Sequence, residues 1–353
     1  MNRLGVPLSV LDLAPVGEGS DPAASLRASA VYARTVEALG YHRYWVAEHH
    51  GMPGIASSSP AVMLAHVAGA TSSIRLGSGG VMLPNHAPLV VAEQFGMLEA
   101  LHPGRIDLGL GRAPGTDQVT AHAIRRSRLD GADEFPSQLA ELVGYFDGTI
   151  PADHPFSKIV ATPARGYRPA IWLLGSSDFS ARLAGTLGLP FSFAYHFAPA
   201  GLDSALEAYR SAFDPSDACA EPYVMLGASV VCADTDERAQ WLAAPGGLAF
   251  LRLRQGRPGL YPRPEDAAAY RFTPHEREAV KAWTQSHVVG DPGQVRDGLQ
   301  ALVERTGVQE VMLTTMLADP DDRVRSAELV AEAAGLIPAT PTPAAAGPVP
   351  RPA

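Results

Sequence analysis

The residues best suited to chemistry in this chain meet in one short stretch, "YWVAEHHG", Tyr44 to Gly51, where an apolar run ends in a carboxylate and two imidazoles. Such a group could hold a metal, move a proton, or form the polar end of a strand. Side chains alternate along a strand, so Glu48 and His50 face one way and His49 the other. Adjacent histidines therefore cannot converge on one metal, and no metal site is expected. His49 is left as a proton-handling imidazole or a polar strand end.

Three further stretches carry candidate groups. "LGSGGVMLP" (76–84) sets Gly79 and Gly80 inside a strand, where glycine costs stability and marks a bulge or the close approach of a ligand. "LGLGRAPGTD" (108–117) ends a strand with Arg112, whose guanidinium can fork onto a phosphate or pair with Glu48. "IWLLGSSDFSARLAG" (171–185) reads as strand, small-residue turn and helix. Gly175, Ser176, Ser177 and Ser180 lie where the first amides of that helix need partners, so the turn can bind an anion or be capped by a serine or Asp178.

These groups need a scaffold, and the hydropathy pattern supplies one. Eight short apolar runs, near 6–13, 41–48, 74–83, 105–111, 170–176, 190–196, 223–233 and 308–316, are separated by helical stretches. Helices are expected over 24–40, 60–73, 88–102, 136–146, 178–188, 202–213 and 321–335. The runs are almost continuously apolar, as in parallel strands covered on both faces. Strand–helix alternation of this kind gives an α/β fold, either a doubly wound sheet or a (β/α)₈ TIM barrel. The strand count and the absence of GxGxxG after the first strand favour the barrel. Residues 1–336 are expected to form one domain, with 337–353 a disordered Pro/Ala-rich tail. Two stretches, 115–133 and 246–275, break the rhythm and read as structureless insertion loops at a binding site. With both insertions, Tyr261 and Trp283 are expected in the pocket wall.

Composition narrows the function. A net charge of −9 argues against a nucleic-acid partner, though not against one local phosphate site. Cys219 and Cys232 are the only cysteines, too few for a disulfide framework or a zinc motif. No run of about 18 apolar residues and no secretory leader is present, so a cytoplasmic location without a membrane span is expected.

In order along the chain, "WVAEHH", "AHVAGATSSIRLGSGGVMLPNHAPLVVAEQ", "PGRIDLGLGR" and "HVVGDPGQV…GVQEVML" resemble the bacterial luciferase-like flavin-dependent monooxygenases, over about Val6 to Gly335. The resemblance implies a (β/α)₈ barrel, usually a homodimer. It implies binding of reduced FMN from a separate flavin reductase, and reaction with O₂ through a C4a-peroxyflavin to oxygenate a small or medium organic substrate. His49 matches the family's active-site histidine, and Gly79 and Gly80 match a pair joined by a non-prolyl cis peptide under the flavin ring. Arg112 matches a phosphate-binding arginine, and the Gly175–Ser180 turn an amide cradle for the same phosphate. Tyr195 and His196 fall on the substrate side of the flavin. Gly111 stands where luciferase has a reactive cysteine, and a second phosphate-side arginine has no match unless Arg125, Arg126 or Arg128 replaces it. These departures argue against light emission and long-chain aldehydes as substrates. The deazaflavin F420 is the alternative cofactor, and a flavin-storage protein the non-catalytic alternative.

Overall fold

The computed structural model describes residues 2–125 and 134–338. All of the tail 337–353 except Ile337 and Pro338, together with Arg126 and Arg128, lies outside the described residues. The elements run β1 (Leu8–Asp12), α1 (Pro22–Ala38), β2 (Arg43–Val46), α2 (Pro60–Ala68), β3 (Arg75–Met82), α3 (Pro88–Leu101) and β4 (Ile106–Gly111). Then come α4 (Gln118–Arg125), α5 (Phe135–Asp147), β5 (Ala170–Gly175), α6 (Asp178–Thr186), β6 (Phe191–Phe193), α7 (Leu202–Ala212) and β7 (Val224–Cys232). The chain continues through α8 (Asp236–Arg254), α9 (Pro264–Ala269), α10 (Pro274–Thr284), β8 (Val288–Gly290), α11 (Pro292–Thr306), β9 (Glu310–Thr314) and α12 (Pro320–Ala334).

β1 to β7 and β9 pair in parallel, and the β6–β7 and β1–β9 pairings close them into an eight-stranded barrel. These eight strands correspond to the eight apolar runs. β8 is a ninth, three-residue strand laid in parallel along the end of β7, Val230–Cys232. Its brevity left it without a periodic signal. The stretch 246–275, expected to lack structure, is partly helical: α8 continues through Pro245, Gly246 and Gly247 to Arg254, and α9 follows. Proline and paired glycines read as helix breakers, but tertiary packing holds this helix. Gly247 comes so close to α10 that a Cβ there would stand 2.7 Å from Val280 Cγ1. Similarly, 118–125 within the first insertion is the helix α4. Among the described residues no helix is long and apolar enough to cross a membrane.

Alternation along each strand sorts the core into two parts. Leu8, Val10, Tyr44, Val46 and Leu76 point outward into the large cluster shared with the helices, while Leu11, Trp45, Trp172, Met225 and Met312 fill the barrel. Below this apolar layer, at the N-terminal strand ends, lies a buried ionic plug. Arg43 donates to Asp107 at 2.8 Å and to Glu310 at 3.1 Å, Arg75 to Asp107 at 2.6 Å, and Tyr223 Oη to Glu310 at 2.8 Å. The Arg43 guanidinium also lies 4.8 Å above the Trp172 ring.

Among the described residues Arg43 is the one cation that bridges both carboxylates. Replacing it by Met therefore removes charge compensation from Glu310 deep in the barrel, and breaking one partner of a buried pair costs about 3–5 kcal/mol. The expected outcome is a large drop in the urea midpoint of Arg43→Met. A midpoint equal to wild type would show that the plug contributes nothing to stability.

Candidate active site

The C-terminal ends of β2 to β5 bring the candidate groups to one rim of the barrel, in chain order. β2 ends at Val46, and the chain continues extended, with the Ala47 amide donating to Asp12 O at 3.1 Å and the His49 amide to Ser57 O at 3.0 Å. Glu48 is fully buried and turned away from His49. Its carboxylate accepts from His50 Nε2 (2.9 Å), His86 Nε2 (2.9 Å), Asn85 Nδ2 (3.2 Å) and the Met82 amide (3.0 Å). The expected sharing of a side by Glu48 and His50 is thus present, and the alternative pairing of Glu48 with Arg112 is not what holds the carboxylate. Burial alone would raise the Glu48 pKa. The hydrogen bond and charge of His86, with the bonds from His50 and Met82, outweigh burial and leave it below 4.5.

This carboxylate also organises the loops above it. Asn85 donates to Pro114 O at 2.9 Å and accepts from Arg125 Nε at 2.9 Å, so α4 is tied to the strand end through Asn85. Asn85 and His86 lie within the quoted stretch 65–94, but nothing in the sequence pairs them with Glu48. His49 faces the barrel axis side of the rim. Its pKa is lowered chiefly by burial, against the attraction of Glu48, so it is neutral at neutral pH, and its Nδ1 is buried without a partner.

Next to it the ends of β3 and β4 carry four glycines, Gly79, Gly80, Gly109 and Gly111. The Gly79–Gly80 peptide is cis, and the β3–β4 register shifts between Gly79 and Val81. A Cβ on Gly79 would stand 2.6 Å from Leu11 Cδ1, and one on Gly80 would stand 2.8 Å from Gly109 O. At Gly80 backbone packs on backbone and at Gly79 the Leu11 and Trp45 side chains close in, which only glycine permits.

At the ends of β4 and β5 the Arg112 guanidinium lies 4.2 Å above the ring of Phe179, in the first turn of α6. Ser177 occupies the N-cap but makes no side-chain cap bond, so the capping alternative does not occupy the first-turn amides. Asp178 instead accepts from Ser204 Oγ at 2.6 Å. Ser180 is buried against the strand end, where a Cβ on Gly175 would stand 2.6 Å from its own Cβ, and Ser176 closes the turn beneath Gly201. A cation beside free amides at a helix N-terminus is a ready anion site.

After β6 the two expected substrate-side residues diverge. His196 turns inward over β7, with its amide donating to Gly227 O at 2.8 Å and its ring so close that a Cβ on Gly227 would stand 2.8 Å from Nδ1. Tyr195 packs against the strand–helix core, 5.9 Å from the Arg305 guanidinium. Burial pushes His196 down to about 4, and His49 and His287 both lie near enough to oppose its protonation further. His287 was not singled out from the sequence, although it opens the "HVVGDPGQV" motif. Its ring stands edge-on to Trp283 at 4.3 Å, and its Nε2 is buried without a partner. Trp283 in turn stacks on Phe250 at 4.7 Å, and Tyr261 Oη donates to Met316 O at 2.7 Å.

Residues 6–310 match the family described as luciferase-like monooxygenase. The chain is 50% identical over 325 residues to an uncharacterized protein of Bacillus subtilis, covering 92% of this chain and 96% of the relative. It is 46% identical over 324 residues to a luciferase-like monooxygenase of Escherichia coli, covering 92% and 96%. The crystal structure of apo-MsnO8 superposes with a TM-score of 0.87 at 39% identity, over 95% of this chain and all of that one. More distant likenesses show the fold alone. One is the oxygenating constituent of 3,6-diketocamphane monooxygenase from Pseudomonas putida in complex with FMN, with a TM-score of 0.69, 20% identity and coverage of 93% and 97%. Another is an F420-dependent secondary alcohol dehydrogenase, with a TM-score of 0.65, 15% identity and coverage of 93% and 99%. A closed parallel barrel with its polar groups on the C-terminal rim thus belongs to an oxidoreductase. The chain is a member of the luciferase-like monooxygenase family.

Because the Glu48 carboxyl sits below its ordinary value, it adds stability above about pH 4.5 that disappears as pH falls through the lower folded value. The gap in melting temperature between wild type and Glu48→Gln is therefore expected to be widest near neutral pH and to close under acid. A gap that stays constant with pH would show that the carboxylate charge is not what anchors the 82–86 and 114–125 segments.

Proposed function

We propose that this chain is the oxygenating component of a two-component monooxygenase, binding reduced FMN from a separate flavin reductase and using O₂ to oxygenate a small or medium organic molecule. One observation carries the reading. Four successive strand ends present a half-buried imidazole with a buried, unmet nitrogen, a paired-glycine floor, and a guanidinium beside a helix N-terminus without a side-chain cap. A flat ring system with a phosphate tail matches these three features together. When bound, reduced flavin supplies the electrons that activate oxygen.

The chain's own residues then have distinct tasks. Arg112 and the first amides of α6 hold the phosphate, with Gly175, Ser176, Ser177 and Ser180 shaping that turn. Gly79 and Gly80 let the ring lie against backbone. His49, kept neutral by burial, can accept or donate a proton beside the ring. His196 and the Trp283–Phe250 pair stand on the substrate side, and the glycine floor with the aromatic wall keeps water out. The reading takes residues 1–336 as one catalytic domain in the cytoplasm. It also includes a homodimer, supported by apolar residues exposed on the adjacent helices α2 and α3, namely Val62, Val90, Met97 and Leu101. Light scattering that finds only single chains at micromolar concentration would remove the dimer from the reading.

Anaerobic titration with reduced FMN tests the site. Arg112→Ala should weaken binding about 10- to 100-fold, the worth of charge-assisted hydrogen bonds. His49→Ala should leave that affinity unchanged, yet divert consumed oxygen to free hydrogen peroxide in the presence of substrate. Failure to bind reduced FMN, or tighter binding of reduced F420, would overturn the cofactor assignment. Equal coupling in wild type and His49→Ala would remove the histidine from its role.

A further inference from the structure

The segment that carries His49 is anchored on both sides of the histidine, and both anchors lead back to the end of β1. On one side the Ala47 amide donates to Asp12 O at 3.1 Å. On the other, the His49 amide donates to Ser57 O at 3.0 Å, and the Ala56 amide next to it donates to Ala14 O, also at 3.0 Å. Pro15 pairs antiparallel with Ile55, and the Val16 amide donates to Gly54 O at 2.9 Å. The place of the imidazole therefore follows from the path of the chain through Asp12 and Ala14.

That path contains a costly turn. Ala14 has a φ of +48°, and among the described residues no other non-glycine residue has a positive φ. A left-handed alanine persists only where its surroundings impose the conformation. Here the Asp12 carboxylate imposes it, with Oδ1 accepting the Ala14 amide at 2.8 Å. Two side chains aim that carboxylate. Arg323 Nη1, from α12, donates to the same Oδ1 at 2.9 Å, and Tyr44 Oη donates to Oδ2.

Stability alone does not account for the guanidinium. Asp12 and Arg323 are only 2% and 3% exposed, so both charges are removed from water. Arg323 Nε and Nη2 are buried and bonded to no group of the chain, and the guanidinium carbon lies 4.4 Å from the centre of the Tyr32 ring. Buried donors normally have partners, and an apolar pair of similar volume is often as stable as a buried ion pair. An apolar pair would fill the space but could not point an oxygen at the Ala14 amide.

We propose that Arg323 is a positioning residue for His49. By orienting the Asp12 carboxylate it holds Ala14 in its left-handed conformation and, through residues 14–16 and 54–57, fixes the imidazole at the rim. The proposal rests on the flavin reading only for what His49 faces.

Hydrogen exchange of the full chain, read by mass spectrometry on peptides spanning 44–57, tests the link in Arg323→Met and Arg323→Lys. Methionine fills the space beside Tyr32, whereas lysine keeps a charged donor for Asp12. Arg323→Met should exchange about tenfold faster than wild type over 47–57, with peptides from β4 and β5 unchanged. Arg323→Lys should recover most of the protection. Circular dichroism checks that each variant is folded. If Arg323→Met does not fold, the pair Asp12→Leu/Arg323→Met leaves no unpaired charge, and should be folded yet equally fast over 47–57. Wild-type protection of 47–57 in either folded variant, faster exchange throughout the barrel, or Arg323→Lys no slower than Arg323→Met would each overturn the proposal. Mixing the reduced-FMN complex with oxygen should release hydrogen peroxide faster in Arg323→Met, as in His49→Ala, and at the wild-type rate in Arg323→Lys. Unchanged release from a variant with a loosened 47–57 segment would also overturn it. Failure of the wild type to bind reduced FMN would overturn the functional reading and leave the link from Arg323 to the His49 segment standing.

Discussion

Glycines at the upper strand ends let neighbouring backbone and side chains close in tightly, and the rest of the site depends on that steric fact. Eight parallel strands enclose a space that side chains ordinarily fill in layers. Here the lower layers are filled, by the Arg43–Asp107–Glu310 plug and then by Trp45, Trp172, Met225 and Met312. Above them added Cβ atoms would collide with the Leu11 side chain at Gly79 and Met82 at Gly111, with the carbonyls of Gly109 and Ser78 at Gly80 and Gly109, and with the His196 ring at Gly227. The bulky lower layers fill the cylinder, and the glycines above them form a floor at its mouth.

Charge is partitioned as strictly as volume. Glu48, though adjacent in sequence to His49, is enclosed by His50, His86, Asn85 and the Met82 amide, so its negative charge anchors loops and does not face the mouth. His49, His196 and His287 are neutral because they are buried. Arg125 is engaged by Asn85, whereas the Arg112 guanidinium lies on Phe179 in the first turn of α6, whose N-terminus has no side-chain cap. An acidic protein of net charge −9 thereby sets one guanidinium and a helix N-terminus beside a neutral, aromatic part of the rim.

The excursion between β7 and β9 adds what a minimal barrel lacks. α8 tolerates Pro245, Gly246 and Gly247 because the glycines let α10 and Tyr261 approach it closely. That packing carries Trp283, and beyond it His287, to the rim, while β8 fixes the segment to the end of β7. Residues of a loop would be placed loosely; these are held by helix packing and a strand ladder.

Much of this was legible in the chain itself. Continuous apolar runs separated by helices determine a parallel sheet covered on both faces, and their number, eight, favours the closed barrel over a doubly wound sheet. The glycine pairs, Arg112 and His49 stood out because glycine in a strand and a charge at a strand end are costly unless something requires them. The tertiary structure alone decided the partners. Glu48 meets Asn85 and His86 only when β3 is laid beside β2. Likewise Tyr195 turns to Arg305 while its neighbour His196 turns inward, according to how the chain leaves β6. His287 reaches His196 only because β7 extends far enough for β8 to pair with it. Periodicity records which face of an element is buried, but the residues that meet across the barrel mouth are separated by tens to hundreds of positions, and only closure of the sheet brings them into contact.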